Sequence, residues 1–276
     1  MRQTAKGDAA VILLGTGTPN AEPDRAGPAV AVVAGGQPYL VDFGPGVVRR
    51  AVAAGLAPAA LTRAFLTHLH SDHAVGYADL IYTPWTLERA EPLRVWGPPG
   101  LAAMTEHVCA AYEADVRERL SGMQPANDTG HAVEARDVEP GVVYEDDAVA
   151  VTAFAVDHGA WPAYGYEFQT AARRIVISGD TAPADTLAAR ARGADVLVHE
   201  VYSARAAATL SVAWRAYHAA MHTSTRQLAA LAAEARPKLL VLYHQLRWGV
   251  SDEDLVAEVR EGYDGAVVSA RDLDVF

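Results

Sequence analysis

The sequence predicts an α/β protein: a four-layer αββα sandwich in which two mixed β-sheets lie face to face, flanked by helices. Two observations carry that expectation. In each half of the 276 residues, strand-rich stretches come first and alternating strands and helices follow, the pattern of sheets covered by helices. Apolar runs of strand length also end repeatedly in a histidine or a carboxylate, at His68, His70, His158, Asp180, Glu200 and His244. A fold that gathers such residues from many strand ends sets them along one edge of the stacked sheets.

The run Ala10-Val11-Ile12-Leu13-Leu14 reads as a strand that stops at Gly15-Thr16-Gly17-Thr18-Pro19. Neither a P-loop lysine nor a GxGxxG spacing is present, so this turn is read as backbone approaching the functional edge and not as a phosphate cradle. Ala29–Ala34 and Tyr39–Asp42 read as short strands around Gly35-Gly36-Gln37-Pro38, and 47–54 as a helix closed by Gly55. Ala64-Phe65-Leu66-Thr67 is the end of a buried strand, and Ala74–Leu80 the opening of a helix.

Between them stands His68-Leu69-His70-Ser71-Asp72-His73. The side-chain period of an extended segment is two, so His68 and His70 point to the same side, while Asp72 and His73 follow the chain as it curls back. Four donors converge without long-range folding. Neutral imidazole nitrogen and carboxylate oxygen suit zinc and neighbouring divalent metals, at about 2.0–2.2 Å. A solvated, His-rich turn would need neither an apolar strand feeding into it nor four ligand-type residues at this spacing.

Further on, Leu93–Trp96 reads as a strand ended by Gly97-Pro98-Pro99-Gly100, 101–120 as helical and 121–130 as a polar loop. His107 and Cys109 are read as packing or surface residues, and His131 has no ligand partner nearby in sequence. Val142–Tyr144 and Val149–Val156 are strands, the second running into Asp157-His158. Tyr164–Phe168, a short turn at 169–173 and Arg174–Ser178 lead to Gly179-Asp180. A helix over 183–192 follows, then Asp195–Val198 ending in His199-Glu200. Residues 206–220 are read as partly helical, and His222-Thr223-Ser224-Thr225 as a capped helix entry before 226–235. A strand over 238–243 delivers His244; a helix over 252–261 and a strand over 266–269 finish the chain.

With 51% hydrophobic and 21% charged residues the chain is globular and can bury a substantial core. No linker, low-complexity tract or charge run divides it, so residues 1–276 are read as one domain. Its 23 basic against 34 acidic residues, a formal charge of −11, argue against a broad nucleic-acid-binding face. The single Cys109 forbids an internal disulfide. The start at Met1–Asp8 lacks the apolar region of a signal peptide, and no apolar run reaches transmembrane length. The expectation is a cytoplasmic protein with no membrane partner; a homo-oligomer is left open.

The motif Thr67-His68-Leu69-His70-Ser71-Asp72-His73, with the glycine-rich turn before it and single ligand-type residues after it, resembles the metallo-β-lactamase fold hydrolases over nearly the whole chain. Within them it looks most like the ribonuclease Z and arylsulfatase-like branch, on the opening turn, His199-Glu200, and His222-Thr223-Ser224 at a helix start. The resemblance implies that His68, His70 and His158 hold one metal, that Asp72, His73 and His244 hold the other, and that Asp180 bridges them. Zinc is the favoured ion, with manganese or iron as alternatives in a mixed His and carboxylate site. Two such cations about 3.5–4 Å apart share a hydroxide as nucleophile, so no serine or cysteine is required.

The likeness also implies that His222, oriented by Glu200, donates a proton to the leaving oxygen; the alternative is that the pair only supports the ligands. The candidate catalytic residues are Asp72, His222 and Glu200. An oxygen-reducing di-iron relative would carry Glu in place of His70, and a β-lactam-cleaving enzyme typically Cys in place of Asp180. Ribonuclease Z enzymes usually project a long glycine- and proline-rich arm that grips tRNA, whereas the link between Phe168 and Arg174 is only a few residues. Together with the acidic composition, this sets nucleic acid aside. It leaves a dinuclear metal-dependent hydrolase of a small ester, first a phosphodiester, then an aryl sulfate or a lactone. A tRNA 3′-processing endonuclease and, from another class, a non-catalytic metal-binding module are the alternatives. Trp85, Trp161 and Trp214, on predicted loops or insertions, are the candidate walls of the substrate pocket.

Overall fold

The computed structural model describes residues 9–276. The charged start at Met1–Asp8, read above as no signal peptide, lies outside them. The first half runs β1 (Ala10–Gly15), β2 (Ala29–Ala34), β3 (Gln37–Val41), α1 (Val47–Ala53), β4 (Arg63–Phe65), α2 (Ser71–Ala74), α3 (Tyr77–Thr86), β5 (Leu93–Gly97), α4 (Leu101–Ala111), α5 (Glu113–Ser121) and β6 (Val133–Asp137). The second runs β7 (Gly141–Glu145), β8 (Val149–Ala155), β9 (Tyr164–Thr170), β10 (Arg174–Ile177), α6 (Asp185–Ala191), β11 (Val196–Tyr202), α7 (Ala204–Ala207), α8 (Val212–Met221), α9 (Thr225–Ala235), β12 (Leu240–Leu246), α10 (Asp252–Arg260) and β13 (Val267–Ser269).

Each half makes one mixed sheet with its strands in chain order. The six-stranded sheet is antiparallel from β1 to β3 and parallel from β3 to β6. The seven-stranded sheet is antiparallel from β7 to β10 and parallel from β10 to β13. Antiparallel neighbours need only a tight turn, whereas parallel neighbours need a crossover. That is why strands crowd the start of each half and helices its end.

The inner faces of the sheets meet through Val11, Leu13 and Phe65 on one side and Tyr166, Phe168 and Ile177 on the other. Ile12, Leu14 and Leu40 face outward and pack under α1 and α3 with Val48, Leu80 and Ile81. The outer face of the second sheet packs Val176, Leu197 and Leu242 against Leu187, Leu228 and Leu255 of α6, α9 and α10. A strand buried on both faces reads as an unbroken apolar run, which accounts for β1 and β2.

The structure departs from the expected elements in three places, one being α3, which runs on to Thr86 and takes in Trp85 where a loop was expected. The helical stretch 101–120 is two helices, broken at Tyr112. β6 is a strand that the sequence did not suggest: it pairs only with β5, at the sheet edge, and packs only Val133 and Ala135 against the core while Glu134, Arg136 and Asp137 stay exposed. Among the described residues no helix is long and apolar enough to cross a membrane.

Candidate metal centre

Strand ends build the site. His68 and His70 follow β4, His158 follows β8, Asp180 follows β10, and Glu200 and His244 stand near the ends of β11 and β12. Asp72 and His73 come from the short α2, which takes over where the extended run ends. Two local devices aim these side chains. Gly179 has φ +62, and a Cβ there would lie 2.9 Å from both the Thr67 Cβ and the Tyr164 carbonyl oxygen, so the turn that brings Asp180 against the His68 segment requires glycine. His244 has φ 45 and is the extra residue of a β-bulge, where β12 shifts register against β11 between Glu200 and Val201. A bulge of this kind re-aims one side chain. Gln245 pins it, donating through Nε2 to the carbonyls of Leu242 at 2.8 Å and Ala270 at 2.9 Å and accepting from Arg25 at 2.7 Å.

The donor atoms of His68, His70 and His158 lie within 4.8 Å of one another, as do those of Asp72, His73 and His244, and those of His68, His73 and Asp180. His73 Nε2 is 3.4 Å from Asp180 Oδ1, and His244 Nε2 is 3.5 Å from Asp180 Oδ2 and 3.2 Å from Asp72 Oδ2. The structure thus gathers all seven into one cluster. The buried Nε2 atoms of His68 and His73 and the Oδ1 of Asp180 have no hydrogen-bond partner among the described residues. Buried polar atoms are ordinarily paired, and imidazole and carboxylate donors converging unpaired are what a divalent cation requires. The clusters suit a dinuclear metal site.

Asp42, which the sequence reading passed over, orients two of these histidines. It is buried at the end of β3 in a left-handed conformation, φ 61. Its Oδ2 accepts from His73 Nδ1 at 2.7 Å and from the Thr67 hydroxyl at 3.0 Å, and its Oδ1 from the Thr67 backbone N–H at 2.8 Å. With its own proton given to Asp42, Thr67 Oγ1 accepts from His68 Nδ1 at 3.0 Å. Both imidazoles therefore direct Nδ1–H away from the cluster and turn Nε2 toward it. His158 reaches the same tautomer by donating Nδ1–H to the Met221 carbonyl at 2.7 Å. Burial pushes His158 down to about 4 and lowers His68 too, which favours the neutral, ligating form. The one sequence signal for Asp42 is a carboxylate closing the run Tyr39-Leu40-Val41 just before Gly44-Pro45-Gly46.

Beside the cluster, Glu200 Oε1 accepts from His222 Nδ1 at 3.2 Å and from the backbone N–H groups of Thr223 at 3.0 Å and Thr181 at 3.2 Å. Burial works against a charged His222, but the carboxylates of Glu200 and Asp180 outweigh it and hold the imidazole up to about 9. A cavity of about 370 Å³ opens over Asp72, Asp180, His222 and His244. Of the three tryptophans expected in its wall, Trp214 lines it. Trp161 stands at the rim of the cluster, its ring 5.1 Å from that of His70 and outside the cavity wall. Trp85 belongs to the core: it lies within α3 and not on a loop, is 2% exposed, and donates its indole N–H to the Asn127 carbonyl at 2.8 Å. Tyr217, His218 and Trp248 stand beside Trp214 in the wall, with Leu210 and Leu246. Pro19 and Asn20 at the end of the glycine-rich turn also line the cavity, whereas Gly15 and Gly17 serve close packing against the backbone at Ala26 and Gly27.

A family model described as "Beta-lactamase superfamily domain" matches residues 38–245. The ribonuclease Z of Mycobacterium bovis is 36% identical over 238 residues, spanning 85% of this chain and 85% of the relative. Among solved structures, the metallo-β-lactamase fold protein YhfI from Bacillus subtilis superposes with a TM-score of 0.75 at 17% identity, covering 98% of this chain and 99% of that one. The short form of human tRNase Z gives 0.72 at 23% identity, covering 97% and 98%. At these identities the two structures share the fold. Relatives named ribonuclease Z over such a share of the chain overturn the expectation of a small ester substrate with nucleic acid set aside. Net charge misled because it sums over a whole surface, whereas divalent cations, once bound, set the sign at the site itself.

Proposed function

The chain belongs to the β-lactamase superfamily, in its ribonuclease Z branch, as a metal-dependent hydrolase of phosphoester bonds, and from that membership we propose that it cleaves a phosphodiester within RNA, with a tRNA precursor as the substrate class. The observation that carries this reading is the 36% identity to a ribonuclease Z across 85% of both chains. The Glu200–His222 pair beside the donor cluster supports it.

In this reading His68, His70 and His158 would hold one cation and Asp72, His73 and His244 the other, with the Asp180 carboxylate available to both; the His-rich donor set suits zinc. When bound, the cations draw charge from the phosphoryl oxygens and make water a competent nucleophile at neutral pH. The protein's own groups do the rest. Asp42, directly and through Thr67, holds His73 and His68 in the tautomer that faces the cluster. His222 has its Nδ1 engaged by Glu200, which leaves Nε2 to hand a proton to the departing oxygen as the P–O bond breaks. The Glu200 carboxylate favours the imidazolium that has this proton to give. The turn between β9 and β10, residues 171–173, is closed by Thr170 Oγ1 accepting from the N–H groups of Ala172 at 3.2 Å and Arg173 at 2.9 Å, and it carries no arm.

The test is a precursor tRNA transcript with a 3′ extension, incubated with the metal-loaded protein. A discrete cut beside the acceptor stem, abolished by chelation, is the expected result; a transcript left intact contradicts the proposal.

A further inference from the structure

Resting on the RNA reading above, the geometry points to a nucleobase subsite on α8, where the base of a nucleotide adjacent to the scissile phosphate stacks on Trp214 with Tyr217 against its edge. The cavity over the cluster is lined by no lysine or arginine. Of the ways a protein holds a nucleotide, basic side chains on phosphate are therefore missing at this spot, and stacking on aromatic faces is what remains.

The helix is built to present such faces. Ser211 caps it, its Oγ accepting from the Trp214 N–H at 3.3 Å. Trp214, Tyr217 and His218 then fall at i, i+3 and i+4, on one side of α8, and that side lines the cavity. The Trp214 ring lies nearly parallel to the His218 imidazole, 5.7 Å away at 22°, and perpendicular to Tyr217, 5.6 Å away at 90°. His218 is buried, with Trp248 at 4.7 Å and His222 at 5.6 Å. The aromatic row thus runs unbroken from the cavity wall to the proton donor proposed for the leaving oxygen.

Exposure distinguishes this row from ordinary packing. His218 is 8% exposed and backs the row, whereas Trp214 stays 57% and Tyr217 42% exposed. Contiguous exposed aromatic surface at the mouth of a cavity marks a contact site. At about 370 Å³ the cavity is at the small end of ligand pockets, sized for a single nucleoside and not for a duplex end. Its occupant is an unpaired base splayed from the strand, the form in which RNA bases are read by aromatic side chains.

The experiment uses two metal-loaded assays on precursor transcripts that differ only in one nucleotide, intact or abasic, placed in turn on each side of the cut. Wild type is expected to lose roughly tenfold or more in kcat/KM for the abasic version at one of the two positions. In Trp214→Ala and Tyr217→Ala that ratio should fall toward one, chiefly through KM, and Trp214→Phe should restore most of it; thermal melts of each variant check the fold. Equal wild-type rates on intact and abasic RNA, or a preference that both alanine variants retain, overturn the subsite and leave the RNA reading standing. A wild type that cuts neither transcript overturns both.

Discussion

Asp42 Oδ2 accepts the Nδ1–H of His73 at 2.7 Å. The same carboxylate reaches His68 through Thr67, so a single buried group orients one histidine from each of two donor sets.

Asp42→Asn should therefore weaken metal binding by about 10–100-fold, the usual cost of removing a group that orients ligands. The amide keeps one acceptor oxygen, so its NH2 must face either the Thr67 backbone N–H or the His73 Nδ1–H, and one of these donors loses its partner. Competition with a chromogenic chelator measures the loss. Affinity equal to wild type would show that the relay does not set the ligand faces.

His222→Ala is expected to lower kcat by about 10²–10⁴ while leaving bound metal at the wild-type level. Glu200→Gln, which keeps an acceptor for His222 but removes the charge, should fall on the same side with a smaller loss. Elemental analysis run beside the kinetics separates the roles: metal lost in step with activity would make these groups ligand supports, not proton donors.

Much of this was legible in the sequence because it is local. The run His68–His73 carries four donors on one strand-to-helix turn, and His158, Asp180 and His244 each follow an apolar run of strand length, so sheet pairing brings them to one edge. Asp42 was not legible, because its partners lie 25 and 31 residues away and only the β3–β4 pairing unites them. The bulge at His244 likewise exists only against β11. Burial decided between the tryptophans: α3 carries Trp85 into the core, while α8 leaves Trp214 at the cavity, and a predicted loop position could not tell them apart.

Away from the cluster, Asp146 gives a pH dependence of known sign. It accepts from the hydroxyls of Tyr39 and Tyr144, each at 2.7 Å, and from the N–H groups of Ala148 at 2.9 Å and Val149 at 3.1 Å. Partial burial pushes its carboxyl upward, but these hydrogen bonds outweigh it and hold the group below the usual carboxylate range. A folded value below the unfolded one means that stability is present above the unfolded value, about 4, and is lost as pH falls through the folded value. In chelator-treated protein, the melting difference between wild type and Asp146→Asn should be full near neutrality and shrink below about pH 4. A difference that stays constant down the same range would contradict the assignment.

The measurement that tests the central claim most directly is metal content per chain, by elemental analysis of protein purified without added metal or chelator, for wild type, His158→Ala and His244→Ala. The account predicts about two ions in wild type and the loss of about one in each variant, because the two histidines belong to different donor sets. One ion or none in wild type, unchanged by either substitution, would contradict it.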